Sequence, residues 1–180
     1  MNELDEAARR ARNGDAAAFR RIVEATGPRL VRLAARILGN VADAEDVVQE
    51  AYVKAHRSLA AGEFDGRSRV ETWLHRIVVN AAIDASRSRE RSPTPRDTLP
   101  DPGWDGAASA EARVALSELD DLLRALPPEQ RSALVLKSIE GFSASEIAAI
   151  LSTTEGAVEQ LLVRARALLR LQRGDVDDRG

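Results

Sequence analysis

The chain contains no cysteine, which excludes disulfides and thiolate metal sites, and its two histidines, His56 and His75, stand apart and offer little to a zinc or iron centre. Aromatic residues make up only 3% of the 180 residues, against 44% hydrophobic overall, so a core must be assembled from Leu, Val, Ile and Ala. No apolar run approaches the roughly 20 residues of a bilayer-crossing helix. The opening MNELDEAARRARNGD also lacks the apolar segment of a signal peptide. The expected location is therefore cytoplasmic, without membrane insertion. Alternating β-type runs are missing as well, and Ala and Arg recur throughout, with 24 arginines beside only 2 lysines. This composition predicts an all-α fold.

The net charge of −3 supplies no bulk attraction for phosphate, so any nucleic-acid contact must come from local patches. Residues 1–87 carry 14 basic and 13 acidic side chains, and residues 111–180 carry 9 and 12. The front half is near neutral and the back half is acidic.

Helical periodicity begins at Asp15 with Phe19, Ile22 and Val23, and resumes with Leu30, Leu33, Ala34 and Ile37. Gly27-Pro28 between the two runs predicts a break, hence two short helices, and Gly39-Asn40 predicts a stop. A third helix is expected from Asp43 as N-cap, with Val47, Val48, Ala51, Tyr52, Ala55 and Leu59 inward. The loop AAGEFDGRS interrupts it. A fourth, about Val70 to Arg87, buries Val70, Trp73, Leu74, Ile77, Val78 and Ala81. Residues 88–110 hold four of the seven prolines and no periodicity, which reads as an extended linker between two domains, 1–87 and 111–172, ahead of a short polar tail at 173–180.

In the second domain, Val114, Leu116, Leu119, Leu122, Leu123 and Leu126 predict a helix ended by Pro127-Pro128, and Glu129 to Glu140 another ended by Gly141. Ser143 with Glu146, and Ser152 with Glu155, match capping boxes on either side of a short turn. Ile147, Ala148, Leu151, Val158, Leu161, Leu162 and Ala165 would pack the resulting pair. That is helix-turn-helix spacing, which many αα-hairpins share without touching DNA.

DAEDVVQEAYVKAH at 43–56, TWLHRIVVNAAIDASRSR at 72–89, the Pro-rich linker and LPPEQRSALVLKSIEGFSASEIAAIL at 126–151 together resemble the extracytoplasmic-function sigma factors of bacterial RNA polymerase. The likeness spans about Asp15 to Leu171, with several motifs in the family's order. It implies two small helical domains, sigma regions 2 and 4. It also implies a non-enzymatic factor that binds core RNA polymerase and promoter DNA, with an anti-sigma protein as a further partner and no cofactor or small-molecule substrate.

Carried onto this chain, the resemblance assigns polymerase docking to Asp43, Glu45, Asp46, Gln49 and Glu50. Asp43, Asp46 and Glu50 share one helix face at i, i+3 and i+7, an arrangement equally compatible with a solvated face. Minus-ten recognition and melting fall to Phe64, Arg67, Ser68 and Arg69 of the loop and to Arg76, Asn80, Asp84 and Arg87 of the helix. Capture of an extruded base would offset an unstacking cost of a few kcal/mol. Trp73 reads as a core anchor. The minus-thirty-five element falls to Thr154, at the family's helix N-cap position, with Glu155, Glu159, Gln160, Val163, Arg164 and Arg166.

Two departures qualify the likeness. Val70-Glu71 replaces a common Phe-Arg pair, and Ala157-Val158-Glu159-Gln160-Leu161 replaces Thr-Val-Lys-Ser-Arg. Basic residues are lost at both places, although Glu can accept from cytosine N4 and Gln can pair with adenine in a major groove. A sigma-like module that binds polymerase or an anti-sigma protein without productive promoter recognition is the first alternative. A helical carboxylate metalloenzyme built from Asp43, Asp46, Glu50, Glu71 and His75 is the second; Glu71 and His75, four apart, are placed to pair or ligate.

Overall fold

The structure, a computed structural model, describes residues 2–91 and 121–172. The described residues are helical with connecting turns, and none is in a strand. No described helix is long and apolar enough to cross a membrane.

Helix α1, Glu3–Arg12, was not foreseen from periodicity because its buried side chains are only Ala7, Ala8 and Ala11. Its signals are electrostatic. The Asn2 side chain caps the amide of Leu4, Glu3, Asp5 and Glu6 fill the first turn, and Arg9, Arg10 and Arg12 the last, each sign at the matching end of the helix dipole. Asp5 also accepts the backbone N–H of Val70 at 2.9 Å, so α1 caps a helix 65 residues away.

Helix α2, Ala16–Leu38, is one helix of 23 residues, where the sequence predicted two. Pro28 sits inside it on the exposed side, as does Glu24, whose carbonyl loses its intrahelical donor to the proline. That carbonyl is left on the wet side, where water can satisfy it, so the break expected at Gly27-Pro28 does not form. On the inner side the Thr26 hydroxyl donates to Ile22 O at 2.7 Å and meets the Tyr52 hydroxyl at 2.7 Å. Burial pushes the Tyr52 phenol up, and the Thr26 bond only partly opposes it. Gly39, at φ +72°, closes α2 in the left-handed conformation.

Helix α3, Val41–Ala60, starts three residues earlier than expected, because Asn40 and not Asp43 is its N-cap; the Asn40 side chain accepts the Asp43 N–H at 3.1 Å. Helix α4, Val70–Arg91, runs four residues past the expected end. Its extension is held by Arg89, which pairs with Asp43 at 2.7 Å and reaches Leu38 O at 3.5 Å. Ile22, Leu30, Leu33, Ile37, Leu59, Leu74 and Val78 are among the fully buried side chains of this four-helix module. Of the six residues expected inward on α4, Val70, Leu74 and Val78 are buried and Trp73, Ile77 and Ala81 half-buried.

Residues 121–124 are helical and lead through Leu126 into α5, Pro128–Ser138, with Pro128 at the first helical position, where a missing N–H is harmless. Helix α6, Ala144–Leu151, and α7, Glu155–Gln172, complete the second module. Leu126, Leu136, Ile147, Ile150, Val158 and Ala165 are among its fully buried residues. Linker residues 92–110, and Val114, Leu116 and Leu119 of the next predicted helix, lie outside the described residues.

The two modules pack together. α4 lies against α5 and α6, and α2 lies against α5. Arg131, only 4% exposed, donates to Ile37 O at the end of α2, to Arg124 O at 2.7 Å and to Leu126 O at 2.9 Å. Arg124 lies over Gly39, where a Cβ would come within 2.7 Å of its Nε.

Candidate nucleic-acid interface

The turn between α6 and α7 is set by two different caps. Ser143 and Glu146 form the expected capping box, each side chain reaching the other's backbone N–H at 3.2 and 2.8 Å. The backbone and hydroxyl donors of Ser143 hold the Glu146 carboxyl below its ordinary value. The second expected box does not form. Ser152 is the C-cap of α6 at φ +55°, and Thr154 caps α7, its hydroxyl accepting the Ala157 N–H at 3.2 Å. A serine that ends one helix in the left-handed conformation cannot also begin the next, which leaves the cap to Thr154, as the family resemblance implied.

Helix α7 presents two surfaces. Glu155, Glu159, Val163 and Arg166, at i, i+4, i+8 and i+11, are exposed, Val163 to 64%. Gln160, Leu161 and Arg164 flank that stripe on one side, Gln160 and Arg164 also exposed, and line a cleft of about 610 Å³ shared with Asn80, Asp84 and Arg87 of α4. The residues assigned to two separate promoter elements thus face each other. Asn80 Nδ2 donates to Ile150 O at 3.4 Å, and Arg87 pairs with Glu129 and, at 3.9 Å, with Asp84. Arg76 is exposed.

In the loop between α3 and α4, Phe64 is 7% exposed and packs on Trp73 with ring centroids 4.8 Å apart, so Trp73 is the anchor expected and Phe64 is part of that anchor. Arg67, Ser68 and Arg69 are exposed; Arg67 pairs with Asp65, whose carboxylate also accepts the Arg67 N–H at 3.0 Å.

On α3, Glu45, Asp46, Gln49 and Glu50 are exposed. Asp43 is turned toward α4, its side chain 17% exposed against Arg89. Beside this acidic strip runs a feature that sequence reasoning missed, an apolar groove of about 620 Å³ between α2 and α3, lined by Phe19, Val23, Val48, Tyr52, Val53 and His56. Its signal was Val53, a large apolar residue one turn beyond Gln49, which is 47% exposed.

Glu71 and His75 do not pair through their side chains. The Glu71 carboxylate accepts from Asn2 Nδ2 at 2.9 Å, while His75 Nδ1 donates to the Glu71 carbonyl at 2.7 Å. His75 is buried against the second module, where its Nε2 faces Glu140 at 3.9 Å and its ring meets Phe142 edge-on at 5.0 Å. Among the described residues no three His, Cys, Asp or Glu side chains converge as a metal site.

Residues 22–92 match the family model described as Sigma-70 region 2, and residues 116–169 match that described as Sigma-70, region 4. The ECF RNA polymerase sigma factor SigM of Mycobacterium tuberculosis is 37% identical over 156 residues, covering 87% of this chain and 77% of the relative. The RNA polymerase sigma-E factor of Streptomyces avermitilis is 33% identical over 172 residues, covering 93% and 92%. Among solved structures, CnrH in complex with the cytosolic domain of CnrY superposes with a TM-score of 0.72 at 28% identity, covering 98% of this chain and 100% of that one. The sigma factor RpoE in complex with the anti-sigma factor NepR from Bartonella quintana gives 0.68 at 26% identity, covering 88% and 98%.

Proposed function

The chain belongs to the extracytoplasmic-function branch of the bacterial sigma-70 family, and from that premise we propose how its surfaces divide the work of an RNA polymerase sigma factor. It binds core polymerase and promoter DNA to direct transcription initiation, and it is not an enzyme, since the polymerase performs the chemistry. The exposed Glu45, Asp46, Gln49 and Glu50 steer a basic polymerase surface to α3, and the neighbouring apolar groove supplies the affinity that exposed charge cannot. Asp43 acts from behind, holding the end of α4 through Arg89.

In the minus-ten role, Arg67, Ser68 and Arg69 present exposed donors to an extruded base, and Phe64 stabilises the loop from beneath through Trp73. Arg76, Asn80, Asp84 and Arg87 form the neighbouring stripe of α4. For the minus-thirty-five element, Thr154 sets the start of α7, and the exposed line of Glu155, Glu159, Val163 and Arg166 enters the major groove, with Gln160 and Arg164 reaching it from the cleft side. Domains at 1–91 and 111–172 fit this division, with α4 carrying the first module four residues past the expected boundary at 87. Action on polymerase supports a cytoplasmic location, and the complexed state of CnrH and RpoE motivates an anti-sigma partner here too.

The observation that carries the reading is the pairing, in one chain, of an acidic docking helix with a capped helix-turn-helix whose second helix is exposed along one line. Core polymerase loaded with the purified chain on a genomic fragment library should give discrete transcript 5′ ends sharing two upstream elements. Glu159→Lys should change the upstream element alone. Stable polymerase binding without discrete starts would refute the promoter roles and favour a non-initiating interaction module.

A further inference from the structure

Resting on that reading, we propose that α1 is a splint for the minus-ten loop, with Asp5 and Asn2 as positioning residues that fix the start of α4 from outside it and so hold Arg67, Ser68 and Arg69 ready for an extruded base. The first N–H groups of any helix lack partners within it, and a short polar side chain just ahead of the helix commonly accepts from one of them. Here that place belongs to Arg69, whose guanidinium can only donate. Asp5 supplies the missing acceptor, taking the Val70 N–H at 2.9 Å, and Asn2 Nδ2 reaches the Glu71 carboxylate at 2.9 Å. The first two residues of α4 are thus both tied to α1. Val70 is wholly buried, so solvent offers its N–H no substitute. A local cap would fold its side chain back on the helix; borrowing the acceptor from α1 leaves Arg69 exposed as a donor.

The same helix reaches the other end of the loop. Arg12, about 10 Å along α1 from Asp5, lies over Gly62, its Nη2 3.4 Å from where a Cβ would stand. Phe64, packed on Trp73, pins the middle of the loop between these two ends. The splint is itself anchored, with Ala7, Ala8 and Ala11 buried and Glu3 paired with Arg21 of α2 at 2.8 Å. Two features of the sequence set it apart. α1 lies ahead of residues 22–92, which match Sigma-70 region 2, and so stands outside that unit. The residue that Asn2 holds is Glu71, which replaces a common arginine, so a carboxylate that would repel phosphate is engaged by α1 instead.

The test uses promoters recovered from the genomic fragment library with wild-type chain and core polymerase. In the full-length chain, Asp5→Ala should lower the hydrogen-exchange protection of the Val70 amide about fivefold by NMR, the scale of one lost N-cap. With saturating polymerase it should lower the permanganate reactivity of thymines in the minus-ten element, and run-off transcription with it, by up to the same factor. Polymerase affinity and binding of the upstream duplex should not change. Asp5→Asn keeps an acceptor oxygen and should restore both protection and opening. Asn2→Asp keeps the cap on Leu4 but sets a carboxylate against Glu71, and should lower opening about twofold, the scale of a solvent-screened charge contact; adding Glu71→Gln should recover it. Circular dichroism shows whether each variant is folded, and if Asp5→Ala is not, the Asn2 and Glu71 pair decides by recovery or its absence. Wild-type opening by folded Asp5→Ala, or no rescue by Asp5→Asn, overturns the splint. An equal fall in polymerase affinity overturns it too, since Asp5 would then only stabilise the module. No discrete starts from wild type would sink the sigma-factor reading, whereas normal starts from wild type and Asp5→Ala alike would sink the splint alone.

Discussion

Replacing Arg131 by methionine should destabilise the chain by about 3 kcal/mol. Arg131 is 4% exposed, and its guanidinium donates to the main-chain carbonyl of Ile37 at the end of α2 and to those of Arg124 and Leu126 in the stretch that leads into α5. A hydrogen bond from a charged donor contributes about 1.5–3 kcal/mol, and a buried acceptor stripped of its donor costs about 1–3 kcal/mol. Against this, methionine removes a buried charge and keeps most of the stem's packing, which returns part of the loss. Taking the low end for two of the three bonds gives about 3 kcal/mol. With a urea slope of about 2 kcal/mol/M, the midpoint followed by circular dichroism should fall by roughly 1.5 M. Lysine at 131 keeps the charge but lacks the planar fork, so Arg131→Lys should fall between the two. A midpoint for Arg131→Met within about 0.2 M of wild type, at unchanged slope, would refute the claim that this side chain ties the modules together.

Four further outcomes are expected. Ser143→Ala removes the capping box of α6 and should cost about 1 kcal/mol in the same titration. Ser152→Gly should stabilise, by roughly 0.5–1 kcal/mol, because Ser152 holds the left-handed conformation that glycine adopts freely. Glu140 has a depressed value in the folded chain, so its contribution is fully present above its ordinary 4.5 and is lost as pH falls further. The advantage of wild type over Glu140→Gln, measured by urea midpoints against pH, should therefore be constant near neutrality and vanish in acid; an advantage that grows on acidification would reverse the sign and refute it. Phe64→Ala should lower thermal stability as well as open-complex formation, since the ring is buried on Trp73; a loss of melting with unchanged stability would make Phe64 a direct base contact instead.

Which features were legible in the sequence depended on whether the deciding partner was local. The all-helical fold, the Gly39 stop and the Ser143–Glu146 box follow from neighbours within a few residues, and all three stand in the structure. Pro28 misled because a proline's effect turns on which side of the helix meets water, and the side is set by tertiary packing. Ser152 and Thr154 compete for one cap, and the winner is decided by where α6 ends. Helix α1 escaped because alanine stripes carry little periodic contrast, although its charges and Asn2 were visible. His75 looked isolated because its surroundings, Glu140 and Phe142, lie in the other module. The order of the motifs revealed the family, but nothing within one helix's reach could show that α4 is buried on a second side, with Val79, Ala82 and Ile83 under cover.

The cleft between α4 and α7 also shapes how such a protein can change over generations. Gln160, Leu161 and Arg164 answer to two selections at once, since a substitution there alters both the contact with DNA and the fit against Asn80, Asp84 and Arg87. Glu155, Glu159 and Val163 answer to one. Drift in promoter preference is then cheapest along the outer line of α7. On that view, the glutamate where a lysine is common marks the place where a lineage can acquire new target genes without disturbing how its regulator rests.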